Sequence, residues 1–185
     1  MDPKTQAVTA AQLLTGLVDT TSADQLGNQT PCAEWKVRDL LNHVIGGGYM
    51  FAAGLRGEAV SGDPSADLVG ADHRGSVHAA IDALGAALAS THDLDQMVVL
   101  PFGTLPAIMA LQLAAGDLLV HSWDLAQATG QGFNPPADFV ESSYAFFEMA
   151  VNDDLRAAGL FGPAQTVPAD ASVMSKLLAH SGRRV

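Results

Sequence analysis

Three side chains that can bind metals or move protons share the segment "GDLLVHSWDLAQATG", residues 116–130. His121 lies four residues after Asp117, and Asp124 lies seven residues after Asp117. On a helix this spacing places the three on one narrow stripe with apolar residues on both sides. A solvent-facing stripe usually carries Lys, Arg or Glu over a broad arc, and the segment 106–130 contains none of them. Two interpretations stay open: a solvent face, or a polar line directed into a cavity.

The Asp117–His121 pair has the spacing of two ligands to one metal ion. Residues four apart on a helix have Cβ atoms about 5–6 Å apart, and HExxH helices hold zinc with two histidines in this way. A metal would also offset the cost of burying the carboxylate. A third ligand must come from another segment. The remaining histidines are His43, His73, His78, His92 and His180. Because a single histidine on a helix is more often structural, the residues alone leave this third ligand open.

The elements that must position these residues are mostly helices. Apolar residues recur with helical spacing in five long segments and in one short segment near the C-terminus. The predicted long helices cover residues 5–19, 35–55, 73–90, 106–129 and 136–158, and residues 97–106 form an extended piece followed by a turn. We therefore predict an all-α bundle of about four main helices. The expected division is a bundle over residues 1–159 and a tail over residues 160–185, whose short helix packs on the bundle.

Composition and charge exclude several classes of function. Lys and Arg number 9 against 20 Asp and Glu, which gives a net charge of −11. That balance argues against binding to nucleic acid or to an anionic lipid surface. No apolar run is long enough to cross a membrane, and the first residues lack a signal-peptide pattern. One cysteine cannot form an intramolecular disulfide. We therefore expect a cytoplasmic protein in a reducing compartment.

Two motifs together resemble a known family. "TPCAEWKVRDLLNHVIGG" followed by "GDLLVHSWDLAQATG" is similar to the DinB/YfiT-like metal-binding bundles, in the actinobacterial branch related to the N-terminal domain of mycothiol-dependent maleylpyruvate isomerase. The resemblance implies a DinB-like four-helix bundle with an extra short C-terminal helix. It also implies a divalent metal, zinc or nickel, with His43, Asp117 and His121 as ligands. Many relatives have three histidines, and Asp117 corresponds to the carboxylate of the isomerase branch.

The resemblance also implies chemistry at that metal. Three protein ligands with an open fourth position are typical of catalytic zinc sites, where the metal lowers the pKa of a bound water or thiol. We expect a metal-dependent transferase or isomerase that uses mycothiol or another small thiol. Maleylpyruvate isomerisation itself is not carried over, because that enzyme has a second domain. Two alternatives stay open: a metal- or ligand-binding module without turnover, and a purely structural bundle dimer.

Four further residues have open roles. Asp124 could orient a ligand histidine, act as a general base and hence as a catalytic residue, or be a surface acid. Cys32 lies near the start of a helix, but the sequence places no histidine beside it. Arg38 could bind an anionic substrate or form a surface ion pair, and Trp35 could line the cavity or belong to the core. The expected partners are a small-molecule substrate or thiol and, from the apolar surplus, a second copy in a homodimer.

Overall fold

The computed structural model describes residues 1–32, 34–61, 63 and 65–185, and most of them are helical. The chain divides into two compact units, one over residues 2–131 and one over residues 132–185 with Met1. The helices are α1 Pro3–Thr20, α2 Val37–Leu55, α3 His73–Ser90, α4 Ala107–Thr129, α5 Ala137–Ala150, α6 Asp153–Ala157 and α7 Val173–His180. The short strands are β1 Met97–Leu100 and β2 Gly103–Pro106, and Ala23–Gly27 is a 3₁₀-helix. The prediction of an all-α protein is confirmed.

The unit over residues 2–131 is a four-helix bundle made of α1 to α4. Helix α1 packs against α3 and α4, and α2 packs against the same two helices. Each helix turns an apolar stripe inward, so that Leu14, Leu41, Leu84 and Leu119 are all buried. Burying such stripes against one another is the main stabilising term of a bundle. This arrangement lets side chains from α2 and α4 meet inside the unit.

The ends of the bundle helices follow local chemistry. Asp2 accepts a hydrogen bond from the backbone N–H of Thr5 at the start of α1, which satisfies a donor that the first helical turn leaves unpaired. Asp72 caps α3 by accepting from Gly75. Helix α4 ends at Gly130, whose φ of 70° lies in the left-handed region that glycine adopts without strain. The helix predicted over residues 106–129 ends at the same residue, Thr129.

The extended piece before α4 is a β-hairpin rather than one strand. Strand β1 pairs antiparallel with β2, with Met97 opposite Pro106 and Leu100 opposite Gly103. Val98 and Leu100 are buried, whereas Met97 and Val99 are exposed. The two buried side chains lie against Gly54 near the end of α2, at a distance of 2.8 Å from the position that a Cβ there would occupy. The hairpin therefore packs on α2 through a residue that has no side chain.

We predict that Gly54→Ala is less stable than Gly47→Ala on the same helix. Both changes gain helix propensity, about 1 kcal/mol relative to glycine, but only Gly54 faces occupied space. A Cβ on Gly47 meets no atom within 4 Å. Overpacking costs about 1–3 kcal/mol, so the two variants should differ by that amount in urea unfolding. Equal stabilities would show that the hairpin does not pack closely at this point.

The unit over residues 132–185 contains α5, α6 and α7, and α5 packs against α7. The prediction of one helix over 136–158 is wrong, because α5 ends at Ala150 and α6 begins at Asp153. The Asn152 side chain accepts from the backbone N–H of Leu155; an asparagine that caps a new helix in this way competes with continuation of the previous one. The division expected at residue 159 lies within this unit and stays a prediction.

Across the described residues, every helix is too short or too polar to span a membrane.

Candidate metal centre

The polar stripe of α4 lies inside the first unit. The His121 side chain is only 6% exposed, and that of Asp124 is completely buried. The two nitrogens of the His121 ring face different carboxylates: Nδ1 is 3.0 Å from Asp124 Oδ2, and Nε2 is 3.4 Å from Asp117 Oδ1. The structure thus favours the interpretation of a polar line directed inward over that of a solvent face.

Helix α2 brings His43 to this stripe. Its Nε2 lies 3.3 Å from Asp117 Oδ2 and 3.5 Å from Oδ1, and its ring centroid is 4.8 Å from that of His121. One donor atom each from His43, Asp117 and His121 therefore lies within 4.8 Å of the other two. The structure brings together the three residues that the family resemblance implied as metal ligands.

Three of the other histidines have partners elsewhere. His73 Nε2 is 3.0 Å from the Thr21 carbonyl oxygen, and His78 Nε2 is 2.8 Å from an Asp19 carboxylate oxygen. In the unit over residues 132–185, His180 Nε2 lies 3.1 Å from a backbone carbonyl oxygen. These contacts are of the structural kind expected for a single histidine on a helix. His92 is exposed after the end of α3, and His43 is the histidine whose contact with the α4 stripe the structure shows.

The Trp35 ring packs beside the rings of His43 and His121. Its ring centroid is 4.9 Å from that of His43 and 5.7 Å from that of His121, with which it stacks at an angle of 19°. The loop before α2 fixes its backbone, since Thr30 donates to the Trp35 carbonyl through N–H and hydroxyl. The sequence left open whether Trp35 lines a cavity or belongs to the core, and the structure places it against two candidate ligands.

The electrostatics of the cluster favour an anionic Asp117. Burial by itself raises the pKa of this carboxyl, but attraction to His121 and His43, with hydrogen bonds to both, holds the pKa well below its usual range. A carboxylate next to two imidazoles is a donor set that suits a divalent cation. Asp124 contacts the other ring nitrogen of His121 and is completely buried.

The spacing of the donor atoms fits a small divalent ion. Bonds of about 2.0–2.1 Å from zinc to nitrogen or oxygen place neighbouring ligand atoms of a tetrahedron roughly 3.3–3.4 Å apart. Asp117 Oδ1 lies 3.5 Å from His43 Nε2 and 3.4 Å from His121 Nε2, which is close to that spacing. The three side chains thus offer the donor types of such a site, with one carboxylate oxygen near both nitrogens.

Cys32 lies on the other side of His121. Its Sγ, a ring nitrogen of His121 and a carboxylate oxygen of Asp124 all lie within 4.8 Å of one another. Sequence reasoning missed this neighbourhood, because the loop that carries Cys32 is far from α4 along the chain. The "TPC" residues gave no periodic signal that could have indicated it.

Arg38 forms a surface ion pair rather than part of the cluster. Its guanidinium donates to an Asp67 carboxylate oxygen at 2.6 Å and to the Gly70 carbonyl. Asn42 holds the same loop, donating to the Ala66 carbonyl and accepting from the backbone N–H of Leu68. Both Arg38 and Asp67 are more than a third exposed, so their pairing contributes little to stability.

Comparison with known proteins adds an independent finding. The family model described as the mycothiol maleylpyruvate isomerase N-terminal domain matches residues 8–126. The chain belongs to this family. The match covers the whole of the candidate metal centre and nearly all of the four-helix bundle. The family implied by the two sequence motifs is therefore confirmed.

Relatives of this family are found in actinobacteria. Uncharacterized proteins from two strains of Mycobacterium tuberculosis are 30% identical over 188 residues, with full coverage of both chains. Two crystal structures of mycothiol-dependent maleylpyruvate isomerase, one of them of a mutant, align with TM-scores of 0.67 and 0.64. At 16% identity, over 85% of this chain and 71% of theirs, they show the shared DinB-like helical fold.

Proposed function

We propose that this protein binds a divalent metal ion, zinc or nickel, at His43, Asp117 and His121, and uses it in a thiol-dependent transferase or isomerase reaction. The observation that carries the proposal is the convergence of three donor atoms within 4.8 Å of one another, with Asp117 Oδ1 3.4–3.5 Å from both histidine nitrogens. Membership of the mycothiol maleylpyruvate isomerase N-terminal domain family supports the choice of a low-molecular-weight thiol, with mycothiol as the first candidate.

The protein side chains have separate parts in this proposal. His43 and His121 offer neutral nitrogen donors, and Asp117 offers an anionic oxygen. In this proposal the His121 proton lies on Nδ1, which is 3.0 Å from Asp124, and Nε2 is left for coordination, as with carboxylates behind ligand histidines. Trp35 restricts the rotation of both rings. Asp124 thus acts as a positioning residue.

A bound divalent metal would supply a Lewis acid that lowers the pKa of a coordinated water or thiol, giving a nucleophile at neutral pH. Three protein ligands leave a coordination position for that molecule. A water or thiol can reach this position from the surface, because the side chains of His43 and Asp117 are 39% and 28% exposed. The closed side of the cluster is formed by His121 and Asp124.

The test combines metal analysis with thiol titration. We expect the purified protein, after repletion with zinc or nickel, to hold one ion per chain and to bind mycothiol by calorimetry only when the metal is present. Asp117→Asn should lose both signals, whereas Asp67→Asn, the same chemical change at the exposed ion pair with Arg38, should keep them. Absence of metal after repletion would contradict the proposal.

A turnover screen separates catalysis from binding. Incubation of the metal-loaded protein with mycothiol and electrophilic or isomerisable small molecules should consume substrate. Metal and thiol binding without turnover would support a binding module instead. We also propose that the protein forms a homodimer and is located in the cytoplasm. Sedimentation of the same preparation tests the homodimer.

A further inference from the structure

A second chemistry-bearing cluster shares one residue with the metal centre. Cys32, His121 and Asp124 bring a thiol, an imidazole and a carboxylate within 4.8 Å of one another. Because Asp124 contacts Nδ1 of His121 at 3.0 Å, this cluster places a thiol next to the two side chains that hold one candidate metal ligand in position. The metal chemistry proposed above uses His43 and Asp117 with His121 and gives no role to the sulfur atom.

We propose that Cys32 is a covalent modification site for a low-molecular-weight thiol, and that its modification and metal binding at His121 oppose each other. The proposal rests on the proposed function for the metal, but the covalent step does not require it. Cys32 is half-buried, so that part of this residue faces solvent, whereas the Asp124 side chain is completely buried.

The covalent step is thiol–disulfide exchange with a small-molecule disulfide. Cys32 Sγ forms a bond to one sulfur of the disulfide, the disulfide S–S bond breaks, and the second sulfur leaves as a thiol with the proton from Cys32. Cys32 is oxidised to a mixed disulfide, and half of the reagent is reduced. Added free thiol reverses the reaction.

Modification of Cys32 and metal binding oppose each other because both involve His121. A metal bonded to Nε2 needs the His121 ring in the orientation that its contacts with Asp124 and Trp35 maintain. A mixed disulfide adds a group the size of a peptide to a sulfur that lies within 4.8 Å of that ring. Because the His121 side chain is only 6% exposed, a group attached next to its ring is expected to shift the side chains that surround it.

The experiment uses the full chain, which has one cysteine, so that the modification stoichiometry reports on Cys32 alone. Native protein is treated with glutathione disulfide, first metal-free and then zinc-loaded, and the mixed disulfide is measured by mass spectrometry. Zinc affinity of the reduced and the modified protein is measured by calorimetry. Cys32→Ser serves as the unmodifiable control, and Asp117→Asn as the variant that keeps the sulfur cluster but loses the metal.

We expect one mixed disulfide on the native metal-free protein and slower modification with zinc, with no such protection in Asp117→Asn. Zinc affinity of the modified protein should fall by about tenfold or more, the effect of disturbing the groups that support a ligand histidine, and recover on reduction. Native protein that is not modified, under conditions that modify the unfolded chain, would overturn the proposal, as would equal zinc affinity in both forms. If reduced protein binds no zinc, the proposed function fails, and modification of the native protein alone decides the Cys32 site.

Discussion

His43→Ala and His121→Ala are each expected to abolish zinc binding. Each variant removes one of the three donor atoms that meet within 4.8 Å, and two remaining ligands do not make a structural or catalytic zinc site. The loss should exceed the roughly 10–100-fold effect of removing only a supporting hydrogen bond. Calorimetric titration with zinc, after treatment with a chelator, measures it.

The two variants differ in their expected stability. His121 is buried against Asp124, so that its removal leaves a cavity and disturbs a buried carboxylate, at a cost of about 3 kcal/mol. His43 is 39% exposed, and its replacement should unfold near the wild-type midpoint. A folded His43→Ala protein that keeps wild-type zinc affinity would therefore contradict the assignment without ambiguity from unfolding.

Ser122→Ala is the matched control next to His121. Ser122 is completely buried, and within the described part of the chain its hydroxyl has no hydrogen-bond partner. Removing a buried hydroxyl that makes no hydrogen bond should raise the free energy of unfolding by about 1 kcal/mol. Zinc affinity should stay unchanged, which would show that the loss in His121→Ala comes from the imidazole rather than from any disturbance of α4.

Asp124→Asn is expected to weaken zinc binding by about 10–100-fold while all three ligands remain. The change keeps the shape of the side chain but removes the negative charge that contacts His121 Nδ1 at 3.0 Å. Without that charge the histidine is a weaker donor, and its ring loses the partner that selects the proton position. Asp67→Asn provides the control for the same chemical change at an exposed position.

The outcome also decides between the roles that the sequence left open for Asp124. A residue that only orients His121 should change metal affinity, and zinc saturation should restore most of the activity. A general base should leave metal affinity intact and lower the rate at saturating metal. Unchanged affinity and unchanged rate would indicate a structural acid.

The helices of the bundle could be predicted from the sequence because their signal is local. Apolar periodicity and helix-ending residues such as Gly130 predicted the positions of α1 to α4 to within a few residues. The prediction of one helix over 136–158 was wrong, because apolar periodicity does not indicate that Asn152 caps a new helix. The strand pairing of β1 with β2 was missed for a similar reason, because two four-residue strands carry too little pattern.

The candidate site could be predicted only in part. The spacing of Asp117 and His121 is a property of one helix, and so their adjacency followed from the residues. The meeting with His43 depends on how α2 packs against α4, which periodicity does not report, and it was implied by the family resemblance. Cys32 and Trp35 approach His121 from an irregular loop, where no repeat in the sequence indicates which side chains turn inward.

The most direct test of the metal centre is X-ray absorption spectroscopy of the zinc-loaded protein. Coordination by His43, Asp117 and His121 predicts nitrogen and oxygen scatterers at about 2.0–2.1 Å, with the outer-shell pattern of two imidazoles and no sulfur. A sulfur scatterer at about 2.3 Å would place the metal at Cys32, His121 and Asp124 instead. That result would contradict the central assignment, since Cys32 is the single cysteine of the chain.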